Sequence, residues 1–383
     1  MATLIDECLD CLSSAVQMNM DFNEARSTPH YPLKVDDDSL CDFAETLCMD
    51  SAELEGKAKS TIRKILKAII DHSGCAIDRI CVSGSVGHQP DNSSDHMGFD
   101  ITVFVDCTAT HGQLEASEHD PEKKEEHMEC SIQSAEKIYQ SFRNMISSTV
   151  CECDHFGLHF GMDGYFLHIA VSPSFAHKMH LHRKHVWDLI EKRDKESKLN
   201  QNDLDRFSIS LHESLTSFMH MGDPGFHGLV RLARFWRQNV LLQQGCGELS
   251  SLAVVLVMMR CIEDEKAIGM SVASPTGRGL RQHPFPVKKV FEDFLRSLSK
   301  LDSLTISYQR FYEPDLIPER HLSNKPYILD PVNPWRNVIH NMTHEGVEWA
   351  KSHAAKSLKL MQNSETTLND LFLCTLQTSA RGG

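Results

Sequence analysis

Apolar residues recur at helical spacing through 51–72, where Ile62, Ile65, Leu66, Ile69 and Ile70 line one face before Gly74 ends the run. Ile80-Cys81-Val82 then predicts a short strand leading into a glycine turn, Gly84-Ser85-Val86-Gly87. A polar loop over 88–98 separates it from Phe99-Asp100-Ile101-Thr102-Val103-Phe104-Val105-Asp106, whose β-branched and aromatic content predicts a second strand. Residues 107–130 are charged and His-rich without a period, which predicts an exposed loop leading into a helix over 131–148. Two short strand-like runs follow within 156–171, the second being Tyr165-Phe166-Leu167-His168-Ile169-Ala170-Val171. Beyond about residue 205 the pattern is helical, over 205–220, 226–243, 249–264, 286–299 and 341–362, with a Pro-rich loop at 321–335. At the start, 1–45 reads as a weak helix and a loop, broken by Pro29, Pro32 and the acidic run Asp36-Asp37-Asp38. The layout is an α+β half followed by a helical half. The expected units are an N-terminal extension (1–45), a mixed-sheet lobe (46–200), a helical lobe (201–365) and a tail (366–383).

Composition narrows the function classes. With 383 residues, 41% of them hydrophobic, the chain is long enough to bury a core without disulfide or metal staples. The formal charge is −14, from 39 Lys and Arg against 53 Asp and Glu, so any nucleic-acid contact must be a local basic patch on an acidic body. The opening residues carry acids inside their apolar stretch and have no basic segment, unlike a secretory signal. No run approaches about 18 consecutive apolar residues, so no membrane span is expected. The 13 scattered cysteines then read as reduced thiols, and the expected compartment is cytoplasmic.

Glycine at the end of a strand lets backbone approach a ligand, and free N–H groups beside a hydroxyl can hold a phosphate, so Gly84 and Ser85 are candidate nucleotide-binding residues. Five segments in order resemble the 2′-5′-oligoadenylate synthase family, a relative of cyclic GMP-AMP synthase. Gly84-Ser85-Val86-Gly87 resembles its Gly-Ser-Ser-Gly turn, and Asp100-Ile101-Thr102-Val103-Phe104 its Asp-Leu-Val-Val-Phe strand. Phe207-Ser208-Ile209-Ser210-Leu211-His212-Glu213 resembles the start of its second-lobe helix. Leu229-Val230-Arg231-Leu232-Ala233-Arg234-Phe235-Trp236 is similar to its arginine helix, and Tyr327-Ile328-Leu329-Asp330-Pro331 to its Ile-Leu-Asp-Pro segment. The resemblance implies a bilobed polymerase-beta-like nucleotidyltransferase fold with its site in the cleft. It also implies ATP or another nucleotide as ligand, Asp100 as the catalytic metal-binding carboxylate, and Arg231 and Arg234 as phosphate contacts. A solvated basic helix face remains the other reading of those two arginines.

The metal set departs from the family's pattern. Its Asp-x-Asp is Gly98-Phe99-Asp100 here, and its third carboxylate falls on Ala170, so one acid of three is recognisable. Asp95, three residues before Gly98, is a possible substitute acid; Asp106 lies about 20 Å along the strand from Asp100, too far to share an ion. His168 shares a face with Ala170 but is a poor ligand for magnesium, which prefers oxygen. A family glutamate is replaced by Val255. Two readings follow. One is a degenerate member that binds nucleotide or RNA, or signals through partners, without chemistry. The other is an active ATP-dependent transferase, using Mg²⁺ and a rearranged acid set, that makes 2′-5′-linked oligoadenylates or cyclic dinucleotides.

Family members are switched on by double-stranded RNA, for which Arg183, Lys184, Lys192, Arg193, Lys195 and Lys198 are the candidate basic residues. They alternate with acids, and the family's Lys-rich stretch is Gly222–Gly228 here, so weak or no RNA binding is expected. His177, His180, His182 and His185, and separately Cys151, Cys153, His155 and His159, group closely. With 22 histidines such groups arise by chance, and no structural zinc is expected.

Overall fold

The computed structural model describes residues 34–47, 52–72, 74–84, 97–107, 121–145, 151–153, 157–163, 165–220, 224–242, 249–271 and 286–373. The first helix, α1 (Asp37–Thr46), begins in the acidic run that was expected to break any helix. Asp36 is its N-cap, accepting a hydrogen bond from the Ser39 N–H at 2.8 Å, and Asp37 and Asp38 sit in the first turn, where the helix dipole favours negative charge. Helix α2 (Ala52–His72) buries Ala58, Ile62, Ile65, Leu66 and Ile69, the face its periodicity predicts.

Five strands form one sheet: β1 (Ile77–Gly84), β2 (Met97–Val105), β3 (Cys151–Cys153), β4 (Leu158–Met162) and β5 (Tyr165–Pro173). Their order is β1-β2-β5-β4-β3, with β2 and β5 parallel and the other pairs antiparallel. Side chains alternate across the strands, so the sheet has two unlike faces. Val82, Phe99, Ile101, Val103, Leu158, Phe160, Leu167 and Ile169 form the apolar face, packed with α2 and with Ile138 of α3 (Pro121–Met145). Ser83, Asp100, Thr102, His159, His168 and Ser172 form the other face, and all six are buried.

Helix α3 starts at Pro121, ten residues ahead of its expected position. Its first turns bury Lys124, His127 and Ser131 rather than aliphatic residues, so no hydrophobic period marks them. Lys124 is held inside by an ion pair to Asp188 at 2.9 Å. The three-residue strand β3 also escapes a periodicity reading, being too short to show alternation.

The helical lobe contains α4 (Met179–Lys195), α5 (Gln201–Ser210), α6 (His212–His220), α7 (Pro224–Trp236) with a π-helical turn at Arg237–Leu241, α8 (Ser251–Ser271), α9 (Val287–Leu298), α10 (Glu319–Ser323), α11 (His344–Gln362) and α12 (Leu368–Leu373). The loop expected at 321–335 contributes β7 (Tyr327–Ile328), which pairs in parallel with β6 (Thr305–Ile306). This lobe's core takes in Phe175, Val186, Leu189 and Ile190 as well as Phe235, Trp236, Phe291 and Phe294. Helix α1 belongs to the same core: the Phe43 ring lies 5.2 Å from both Phe235 and Phe372.

The polar sheet face meets α5 and α6, and a polar seam joins the lobes. Ser172 donates to the Ser210 hydroxyl at 2.9 Å, Arg79 bonds Glu213 at 2.9 Å, and the Cys81 thiol reaches the Thr216 hydroxyl at 3.7 Å.

Candidate functional site

The site is built where the Gly84 end of β1 and the middle of β2 lie side by side. In the sheet register Ser83 pairs with Asp100, and Asp100 pairs across β2 and β5 with His168. Asp100 and His168 are each only 2% exposed, and the His168 Nδ1 lies 3.1 Å from the Asp100 Oδ1. The His168 ring stacks on His159 with centroids 4.4 Å apart and planes 12° from parallel. Gly157 permits this arrangement, because a Cβ there would collide with the His168 ring and the Ile169 carbonyl.

Beside this pair stands His212, the first residue of α6, fully enclosed between the lobes. Its Nε2 lies 2.6 Å from the Ser83 hydroxyl and its Nδ1 2.6 Å from the Thr102 hydroxyl. A neutral imidazole suits both, one nitrogen donating and the other accepting. Burial lowers the His212 pKa, opposed by the charge of Asp100 and reinforced by His168. Sequence reasoning missed His212 as a site residue, although it fell within a quoted segment. The available signal was Ser83 and Thr102, two hydroxyls whose pairings place them on the face of Asp100.

Gly84 pairs with Phe99 at the end of β1, and Gly98 lies within β2. Ser85, Asp95 and His155 lie outside the described residues. Ala170, at the position of the implied third carboxylate, is buried and pairs with Thr102. Val255 is fully buried in the helical core. Among the described residues, then, the carboxylates at this point reduce to one, already engaged by a histidine. That set does not fit a pair of divalent cations, which needs several carboxylate oxygens around a common point.

Arg231 and Arg234 lie on α7 and are both buried. The Arg231 Nε donates to the Ala44 carbonyl at 2.9 Å, tying α7 to the end of α1. Burial, with Arg237 nearby, lowers the Arg234 pKa to about 10. Asp330, in the Ile-Leu-Asp-Pro segment, accepts the N–H groups of Val332 at 2.9 Å and Asn333 at 3.2 Å and meets Arg336 at 3.4 Å. Burial raises its pKa against the pull of Arg336. It organises a turn.

Most of the candidate basic residues for RNA pair with acids of the same chain. Arg193 pairs with Asp203 at 2.8 Å, Lys195 with Glu191 at 2.6 Å and Lys198 with Glu196 at 2.7 Å, while Lys192 lies 3.9 Å from Glu125. The Arg183 guanidinium sits 5.0 Å over the Trp187 ring. The clustered histidines have structural partners: His177 meets Asp78 at 3.0 Å, and His182 accepts the Phe175 N–H at Nδ1 and donates from Nε2 to the Ser210 carbonyl. Burial lowers the His182 pKa to about 3. Among the described residues, no group of three or more His, Cys, Asp or Glu side chains is arranged to hold a metal, and no helix is long and apolar enough to cross a membrane.

No family model matches the sequence, and no curated protein does. Solved structures match over nearly the whole chain. A chain of the E. coli MS115-1 CdnC:HORMA-deltaN complex is 15% identical with a TM-score of 0.54, covering 89% of this chain and 98% of its own. E. coli MS115-1 CdnC with ATP is 16% identical with a TM-score of 0.53, covering 88% of this chain and 98% of its own. The Vibrio cholerae di-nucleotide cyclase DncV aligns less well, at 9% identity and a TM-score of 0.42, over 98% of this chain and 88% of its own. The fold is therefore the bilobed, polymerase-beta-like nucleotidyltransferase fold that the sequence resemblance implies.

Proposed function

We propose that this chain is a degenerate nucleotidyltransferase, most similar in motif to the 2′-5′-oligoadenylate synthases, that binds a nucleotide in its cleft for signalling of the innate-immune type and does not polymerise it. One observation carries the reading: Asp100, the surviving carboxylate, is buried and paired with His168, while Gly98 and Ala170 stand where its two companions would be. ATP is the first ligand to test, because a structure of like fold was determined with ATP. Gly84, Ser85, Arg231 and Arg234 are the proposed nucleotide-binding residues. Double-stranded RNA is at most a weak partner, because candidate basic residues on this face alternate and pair with acids.

The test is incubation of the purified chain with labelled ATP and GTP, with Mg²⁺ or Mn²⁺, with and without double-stranded RNA. The expected result is thermal stabilisation by ATP, since a ligand that binds only the native state raises its stability, with no new oligonucleotide. Product formation that is lost in Asp100→Ala would refute the non-catalytic reading and establish the rearranged acid set with Asp95 as its first candidate member.

A further inference from the structure

Three thiols converge on one face of α3, on the apolar side of the sheet and apart from the cleft. Cys107, just past the end of β2, is buried and donates to the His127 carbonyl at 3.8 Å and the Val105 carbonyl at 3.9 Å. Cys130, three residues beyond His127 on α3, packs against the same apolar cluster as Cys107. Cys75, in the segment that leads into β1, donates to the Ser134 carbonyl at 3.9 Å. Positions 127, 130 and 134 follow the three-and-four spacing of a helix face, so Cys130 lies between the two anchoring points. None of the three is in a disulfide. Other described cysteines meet hydroxyls instead: Cys81 reaches Thr216, and Cys261 reaches Ser297 at 3.8 Å.

We infer that Cys107, Cys130 and Cys75 form a redox-sensitive site, in which peroxide closes a Cys107–Cys130 disulfide and Cys75 is the alternative partner of Cys130. Cys130 is half-buried and Cys107 is enclosed, so dissolved peroxide meets Cys130 first. The Cys130 sulfur attacks the O–O bond, keeps one oxygen as a sulfenic acid and releases the other as water. The Cys107 sulfur then displaces the sulfenic hydroxyl, which leaves with the Cys107 proton as a second water. Two thiols are oxidised by two electrons, and one peroxide is reduced to two waters. Burial, together with Cys130, Asp106 and Cys75, holds the Cys107 pKa well above the usual thiol value, so Cys107 is not the thiol that first attacks peroxide. The Cys107 sulfur already sits against the His127 carbonyl, three residues before Cys130 on the same helix, so a local approach reaches the S–S length of about 2 Å. The bridge would fasten the end of β2, the strand carrying Asp100, to α3.

The full-length reduced protein is treated with hydrogen peroxide, alkylated and digested without reductant for peptide mass mapping. The expected principal cross-link is Cys107–Cys130 in the native sequence and Cys75–Cys130 in Cys107→Ser. Neither cross-link forms in Cys130→Ser. The melting midpoint of the oxidised native protein rises by several degrees and returns on reduction, as expected for closing a loop of this length. The inference is overturned if peroxide leaves Cys130 open to alkylation while other cysteines oxidise. It is also overturned if Cys130 goes to sulfinic acid without a disulfide, or pairs with any cysteine other than these two. The mapping of the native sequence decides this by itself, so poor folding of a variant does not obscure the outcome.

Discussion

Removing His168 tests whether the Asp100 carboxylate depends on it. Both groups are almost fully enclosed and 3.1 Å apart, so their interaction is little screened by water. His168→Ala takes the hydrogen-bond partner from a buried carboxylate, a loss of about 1–3 kcal/mol. It also removes the His159 stack, which adds to the loss. Asp100→Ala is milder, about 1–2 kcal/mol, because it leaves the stack of His168 on His159 in place. The double variant should therefore lose less than the sum of the two, with a coupling of about 1–3 kcal/mol. The assay is urea unfolding of the four proteins, followed by a probe within the sheet lobe. Additive losses, with coupling below about 0.5 kcal/mol, would refute the pairing and reopen Asp100 as an available metal ligand.

Other consequences are smaller but as direct. His212→Ala strips the Ser83 and Thr102 hydroxyls of a shared partner inside the interlobe seam and should lower stability by about 2–3 kcal/mol, read by thermal unfolding. Asp36→Ala removes the N-cap of α1 and should cost about 1 kcal/mol, whereas Asp36→Asn should cost little; equal losses would count against capping. His182 has a folded pKa of about 3 against an unfolded value near 6.5, so between those values the unfolded chain binds the extra proton. Its contribution is therefore complete above about pH 6.5 and is lost as pH falls toward 3, amounting to about 2 kcal/mol by pH 5. His182→Gln should flatten the stability slope over pH 5–6.5 by up to about 1.4 kcal/mol per pH unit, and an unchanged slope would rule His182 out as its source.

Elements with one apolar face were readable directly. Helix α2 and the amphipathic α9 bury the aliphatic and aromatic positions that their spacing marks, and β2 follows from its β-branched run. The elements that escaped are those whose buried face is polar or whose start is set by capping. Helix α1 begins with three aspartates because one of them caps it, and α3 begins on a buried lysine whose partner, Asp188, lies on another helix. A hydrophobicity pattern carries neither fact, since both depend on where a charge finds its counterpart.

The candidate site divides in the same way. Two-residue alternation within a strand was enough to put His168 and Ala170 on one face. The pairing of Asp100 with His168 was not legible, because it depends on the parallel register of β2 and β5, which are separated in sequence by α3, β3 and β4. The use of His212 required knowing that α6 crosses the same strands. Once register and crossing are known, the polar face acquires a coherent physical account. Ser83 and Thr102 both meet His212, Ser172 meets Ser210 across the lobe boundary, and the Asp100 Oδ1 meets His168. A strand face that holds divalent cations must keep its carboxylate oxygens convergent and open to them, whereas one that joins two lobes must bury its polar groups with their hydrogen bonds made. Asp100, His168 and Ala170 are buried as the second requirement asks, and the contact between Asp100 and His168 is what the His168→Ala and Asp100→Ala cycle measures.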